Sequence, residues 1–108
     1  MSRTPNASGT LATSQSAEKT LDVLNALLGH FAHGLTPGDL ARATSINPAS
    51  ITRYVATLET KGFVERIPET GRIRPSVRFA QYAISIMRSL DSARTRLDEI
   101  STRITTPR

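Results

Sequence analysis

Residues 36–71 read TPGDLARATSINPASITRYVATLETKGFVERIPETG, and this stretch decides the fold. It opens with Thr36-Pro37-Gly38-Asp39: a hydroxyl suited to an N-cap, a proline at the first helical position and an acid three residues after the cap. The hydroxyl can accept from an orphan amide of the first turn, the proline lacks only a hydrogen bond that would go unmade there, and the acid can reach back to the cap. The pattern predicts a short helix from Pro37 to about Thr44, burying Leu40 and Ala43. After Ser45-Ile46 the device repeats, with Asn47 as cap and Pro48 behind it, which predicts a helix over 48–61 that Gly62 stops. Phe63 to Ile67 then alternates apolar and polar, Pro68-Glu69-Thr70-Gly71 is a turn, and Arg72-Ile73-Arg74 alternates again. Two short capped helices followed at once by a hairpin make a winged helix-turn-helix, with the wing over 66–74.

Upstream, a further helix is expected from Ser16. Leu21, Leu24, Leu27 and Leu28 fall at three- and four-residue spacing with Val23 and Phe31 adjoining, and Gly34 is a natural stop. The core expected of these pieces is Leu24, Leu28, Leu40, Ile46, Ile51, Val55, Leu58, Val64 and Ile73, with Tyr54 at its edge. Residues 1–15 are Ser, Thr, Gly, Pro and Asn with little to bury, so they read as a disordered tail. Within that tail Asn6-Ala7-Ser8 is a chance sequon, and Arg3 is a weak candidate for a groove-reading arm. Downstream, Ser76 to about Ile104 reads as one long helix, bent near Asp91. Ala83, Ile86, Leu90, Ala93, Leu97, Ile100 and Ile104 recur at alternating three and four, a heptad seam suited to a homodimer clamp. Ile84 and Met87 lie beside the seam and are expected to pack on the winged domain. The expected fold is therefore mainly α with a small β-hairpin: a tail over 1–15, a winged helix-turn-helix over 16–75, and a C-terminal linker and dimerisation helix over 76–105.

Composition narrows the function. Lys and Arg number 14 against 9 Asp and Glu, a formal charge of +5, and the sequence pI is near 10.7. That balance favours a polyanionic partner, nucleic acid before membrane. Lys19 and Lys61 are the only lysines; the remaining bases are arginines, suited to bidentate contact with phosphate or guanine. Cysteine is absent, which removes disulfides, thiolate metal sites and thiol nucleophiles. No apolar run approaches the roughly 20 residues needed to span a bilayer. The expected compartment is the cytoplasm, at the nucleoid or in an infected host.

On a wheel of about 100° per residue, Ile51, Val55 and Leu58 of the 48–61 helix share one narrow sector. Opposite them stand Ala49, Arg53, Ala56 and Thr60, flanked by Ser50, Thr52 and Thr57. A merely solvated face would carry Glu and Lys. This one is small and hydroxylated, which lets a helix sit deep in the major groove, and Arg53 is the candidate for a direct base contact. Thr36 and Asn47, at the two helix starts, join the candidate DNA-binding set. Arg72 and Arg74 of the wing are expected on the backbone or in the minor groove, with local pairing to Glu65 or Glu69 as the competing reading.

Lys19-Thr20-Leu21-Asp22-Val23-Leu24, Leu35-Thr36, Leu40-Ala41-Arg42-Ala43-Thr44, Ile51-Thr52-Arg53, Thr57-Leu58 and Gly62-Phe63-Val64-Glu65-Arg66 together resemble the DNA-binding domain of IclR-type transcriptional regulators over about residues 16–104. The resemblance implies that Arg53 lies on a recognition helix and that domains pair so that two such helices meet adjacent half-sites. The sequence departs from that pattern at Asn47, which intervenes before Pro48, and at Ala49, where a polar residue is common. Such regulators usually continue into an effector-binding domain. Its absence here implies a DNA binder with no ligand switch of its own, as suits a phage, plasmid or accessory regulator.

Enzymatic readings fare poorly. His30 and His33 offer two ligands at most, and no third has suitable spacing, so neither metal nor cofactor is expected. There is no phosphate-cradling glycine loop and no nucleophile elbow. The rival to a dimeric reader of double-stranded DNA is a winged-helix interaction module that docks a protein partner, a host regulator or polymerase, through its C-terminal helix.

Overall fold

The computed structural model describes residues 11–105. The sequon, Arg3 and most of the expected tail lie outside the described residues. In chain order come helix α1 (Gln15–Leu27), α2 (Pro37–Thr44), α3 (Pro48–Thr60), strands β1 (Val64–Arg66) and β2 (Ile73–Pro75), and helix α4 (Val77–Thr105). The chain divides into two compact units, one ending at Pro75 and one running from Ser76.

In the first unit, α1, α2 and α3 pack on one another, α1 also meets β2, and α3 also meets β1. Helices α2 and α3 start at the caps the sequence dictates, whereas α1 starts at Gln15, inside the stretch expected to be tail, because Ser14 caps it. Ser14 Oγ accepts from the Ala17 amide at 3.3 Å, and Asn47 Oδ1 accepts from the Ser50 amide at 2.9 Å. At α2 the box is complete: the Asp39 amide donates to Thr36 Oγ1 and the Thr36 amide to Asp39 Oδ2, both at 3.0 Å. Two part-buried donors at the helix start are thus satisfied reciprocally. Ser45 closes α2 in the left-handed region, φ 59°.

The core is Val23, Leu27, Leu40, Ile46, Ile51, Tyr54, Val55, Leu58, Val64 and Ile73. Seven of the nine expected core residues are there, and Tyr54 with them. Leu24 and Leu28 are not. Val23 and Leu27 are fully buried, Leu24 only packs at the edge, and Leu28 is 48% exposed. Adjacent helical residues point about 100° apart, so α1 carries two apolar faces, and it is the Val23–Leu27 face that meets the rest of the core. Ala43 is likewise exposed, whereas Ala41 is part-buried. On α2 the buried sector runs from Leu40 through Thr44 to Ala41, and Ala43 lies about 60° outside its Leu40 edge.

Helix α1 also ends earlier than its glycine stop suggested. It closes at Leu27 with Leu28 as cap, and a set of turns carries the chain to Gly34. Gly34 serves another purpose. Its φ is +69°, and a β carbon on it would lie 2.5 Å from the Ile73 carbonyl oxygen. This close approach seats Leu35 against the hairpin: Leu35 and Ile73 exchange both backbone hydrogen bonds at 2.8 Å. The wing therefore has a third rung contributed from before α2. In the hairpin itself Val64, Glu65 and Arg66 pair antiparallel with Pro75, Arg74 and Ile73. Ile67 accepts from the Gly71 amide at 2.7 Å to close the turn.

The second unit is α4, 29 residues long and hence about 43 Å at 1.5 Å per residue. Ser76 Oγ caps it by accepting from the Phe79 amide at 3.0 Å. It is one uninterrupted helix through Asp91, where a bend was expected. No residue of it is buried. Ala83, Ile86, Leu90, Leu97, Ile100 and Ile104 all stand exposed, and so do Ile84 and Met87. No helix among the described residues is long and apolar enough to cross a membrane.

Candidate nucleic-acid interface

Helix α3 buries Ile51, Tyr54, Val55 and Leu58, and this fixes what its other side presents. Ala49, Thr52, Arg53, Ala56, Thr57 and Thr60 are exposed and Ser50 is half-buried. Nothing on that side is longer than threonine except Arg53. The one carboxylate of the helix, Glu59, is drawn off to Arg66 of β1 at 3.3 Å. The exposed face therefore holds a single charge, and it is positive.

Arg53 is held from two sides. Its guanidinium carbon lies 5.4 Å from the centroid of the Tyr54 ring, and Nη2 is 3.5 Å from Ser50 Oγ. A guanidinium over an aromatic face is attracted by the ring quadrupole. Thr57 Oγ1 donates to the Arg53 carbonyl at 3.1 Å and Thr52 Oγ1 to the Pro48 carbonyl at 3.3 Å. Both hydroxyls keep their lone pairs for an outside donor. Beside Arg53 is a shallow hollow of about 350 Å³ lined by Ser14, Ser16, Ala17, Thr20, Arg53, Tyr54 and Thr57. The sequence reading missed that α1 brings its hydroxyl-rich first turns to Arg53. The i, i+4 pair Ser16 and Thr20 behind the cap Ser14 was the available signal.

Thr36 and Asn47 sit at the starts of α2 and α3, where unpaired amides and the helix dipole favour anions. Each uses an oxygen for capping, and the Asn47 amide protons remain as donors. The Asp39 carboxyl lies below its ordinary pKa because it accepts the Thr36 backbone hydrogen bond, with the Thr36 hydroxyl, Arg42 and Arg72 acting the same way.

The two wing arginines differ. Arg74 donates from Nε at 2.9 Å and Nη2 at 2.8 Å to Glu65 Oε2, and its guanidinium carbon stands 5.3 Å from the Phe31 ring centroid. Its charge is matched and its side chain pinned, the local pairing that competed with DNA contact. Arg72 makes no close ion pair among the described residues, its charge acting on Asp39 only at longer range; Nη1 is 3.5 Å from the Gly34 carbonyl. The structure thus joins Ser50, Arg53 and Thr57 into one contiguous set on α3 and holds Arg74 in a second set with Glu65 and Phe31. His30 and His33 are exposed in the turns after α1, and no cluster of three or more metal-ligating side chains occurs among the described residues.

The MarR family model matches residues 17–73, which is the winged unit from the first turn of α1 to the start of β2. The chain belongs to the MarR family. This is a family of winged-helix, DNA-binding proteins, so the winged-helix reading of the sequence holds, but the match does not support the IclR type that the motifs resemble. No curated protein matches the sequence. Among solved structures the chain is similar to a crystal structure of Pseudomonas aeruginosa HmgR, with a TM-score of 0.61 and 24% identity. That likeness covers 80% of this chain and 36% of HmgR, so the chain spans about a third of the length of that relative. At this identity the likeness speaks for the fold of this MarR-family chain and for nothing finer.

Proposed function

We propose that this MarR-family protein is a sequence-specific double-stranded DNA-binding transcription regulator that acts as a dimer in the cytoplasm. The observation that carries the reading is the outward face of α3: small and hydroxylated, without a carboxylate of its own, and centred on the braced Arg53. In this reading α3 enters the major groove, where Arg53 meets a base edge and Ala49, Ser50, Thr52 and Thr57 line the contact. Thr36 and Asn47 take phosphates at the helix starts, and Arg72 takes the backbone beside the wing. Arg74, neutralised by Glu65, shapes the wing and contributes little to phosphate attraction. The exposed seam of α4 joins two copies, so that two recognition helices address one operator. The motif order from α1 to β1 is the sole support for a finer, IclR-like kinship.

The test is a salt-controlled titration of the protein against its own upstream region and a scrambled duplex, with Arg53→Ala alongside. A specific regulator prefers the upstream DNA, or a site recovered from a random-sequence selection, by on the order of a hundredfold or more, and the substitution abolishes the preference. Equal binding to all duplexes, with the selection blank, sinks the reading and leaves the protein-docking module.

A further inference from the structure

We infer that two copies of α4 pair antiparallel, about a twofold axis that crosses the helix between Asp91 and Ser92. The inference rests on the dimer reading above and goes beyond it, because a heptad seam alone fits either direction. What chooses is the order of large and small residues. The seam runs Ala83, Ile86, Leu90, Ala93, Leu97, Ile100, all exposed in the single chain. Folded back on itself about that axis, it sets Ala83 opposite Ile100, Ile86 opposite Leu97, and Leu90 opposite Ala93. Every alanine meets a large aliphatic residue, so no layer holds two alanines and the layer volumes vary less than in parallel pairing. Parallel, in-register pairing puts Ala83 on Ala83 and Ala93 on Ala93 between layers of Leu and Ile, leaving thin layers beside thick ones.

Charge excludes a slip of the register toward the C-terminus, and size excludes one toward the N-terminus, which would put Ala83 on Ala93. About this axis the residues flanking the seam bring Arg103 to Tyr82, Arg96 to Ser89 and Arg94 to Met87 of the second copy, and no arginine faces another. A slip of one heptad toward the C-terminus instead sets Arg94 on Arg94 and Arg96 on Arg96 across the axis. Like charges held that close repel, and the long arginine stems are better used lying along apolar neighbours. The partner is therefore a second copy of this chain.

The chain has no cysteine, so single-cysteine variants report cleanly on which positions meet. Ala83→Cys and Ile100→Cys are prepared separately, mixed, exchanged under reducing conditions, and then mildly oxidised. A disulfide needs α carbons within about 7 Å. The mixture is expected to give the mixed disulfide-linked dimer, at roughly tenfold the yield of either variant oxidised alone. Self-linking of Ile100→Cys or Ala83→Cys alone shows parallel pairing and overturns the inference. So does the absence of linkage in a mixture that sedimentation shows to be dimeric. Sedimentation of the unsubstituted chain and its DNA titration separate the two readings. A dimer that binds its operator but links in parallel keeps the regulator and loses only this geometry, whereas a monomer at all concentrations removes the dimer as well.

Discussion

Gly34 lies so close to Ile73 that a β carbon placed on it would stand 2.5 Å from the Ile73 carbonyl oxygen. Contacts below 3.0 Å force something to move, and here the obstacle is backbone already paired to Leu35. The left-handed φ of +69° adds its own penalty of roughly 1 kcal/mol for any residue with a β carbon. Gly34→Ala is therefore expected to destabilise the winged unit by about 2–4 kcal/mol, the range of strained-backbone and overpacking defects. Thermal unfolding measures it. Gly71→Ala is the comparison, since Gly71 shares the positive φ of +74° but has open space around it, and it should cost about 1 kcal/mol.

The unequal settings of the three arginines make their substitutions separable in one DNA titration. Arg53→Ala should cost about 1–3 kcal/mol on the preferred site and little on scrambled DNA, because a base contact is what discriminates. Arg72→Ala should weaken both duplexes alike and lower the salt slope by about one. Arg74→Ala should leave the slope nearly unchanged, since its charge is already matched by Glu65 at 2.8 Å. Glu65→Gln should raise the slope by exposing that charge. A slope that falls equally for Arg72→Ala and Arg74→Ala would show that the Glu65 pair opens on DNA.

Asp39 makes the cap at the start of α2 acid-sensitive. Its folded pKa lies below the ordinary 3.8, chiefly because its carboxylate accepts the Thr36 amide. A lowered pKa means the stabilisation is fully present above the unfolded value and fades as pH falls through the folded one. Stability of the wild-type chain should therefore decline on acidification below about pH 4, and Asp39→Asn should be less stable at neutral pH yet flatter over that acid range. Thr36→Ala, which removes the cap oxygen, should cost about 1 kcal/mol. Denaturant titrations at neutral pH and near pH 3 check both.

How much of this was legible in the sequence depends on whether the signal was local. The caps at Thr36 and Asn47, the turn before Gly71 and the long helix after Ser76 are written in neighbouring residues, and the structure has them at those positions. Gly34 was misread because its reason is long-range: it looks like a helix stop but is fixed by Ile73, nearly forty residues away. Arg74 was ambiguous for the same cause, since alternation shows that it shares a strand face with Arg72 but not that Phe31 reaches beneath it. The hydroxyls of Ser14, Ser16 and Thr20 near Arg53 belong to α1, and nothing in their spacing shows which helix they will meet.

The phase of α1 offers the sharpest remaining check, because two adjacent leucines stand in opposite settings. Leu27 is fully buried with α2, α3 and β2 around the same core, while Leu28 has left the helix as its cap and is 48% exposed. Truncating a buried leucine removes its transfer free energy and leaves a cavity, so Leu27→Ala should cost about 2–5 kcal/mol. For a domain of this size that is enough to leave the winged unit largely unfolded near body temperature. Leu28→Ala removes side chain that water already reaches and should cost under about 1 kcal/mol. The same reasoning separates Val23 from Leu21, which is 61% exposed. Should Leu28→Ala and Leu21→Ala instead lower the melting temperature steeply and in a concentration-dependent way, the second apolar face of α1 is covered by another copy of the chain, and the dimer interface extends from α4 onto the winged unit.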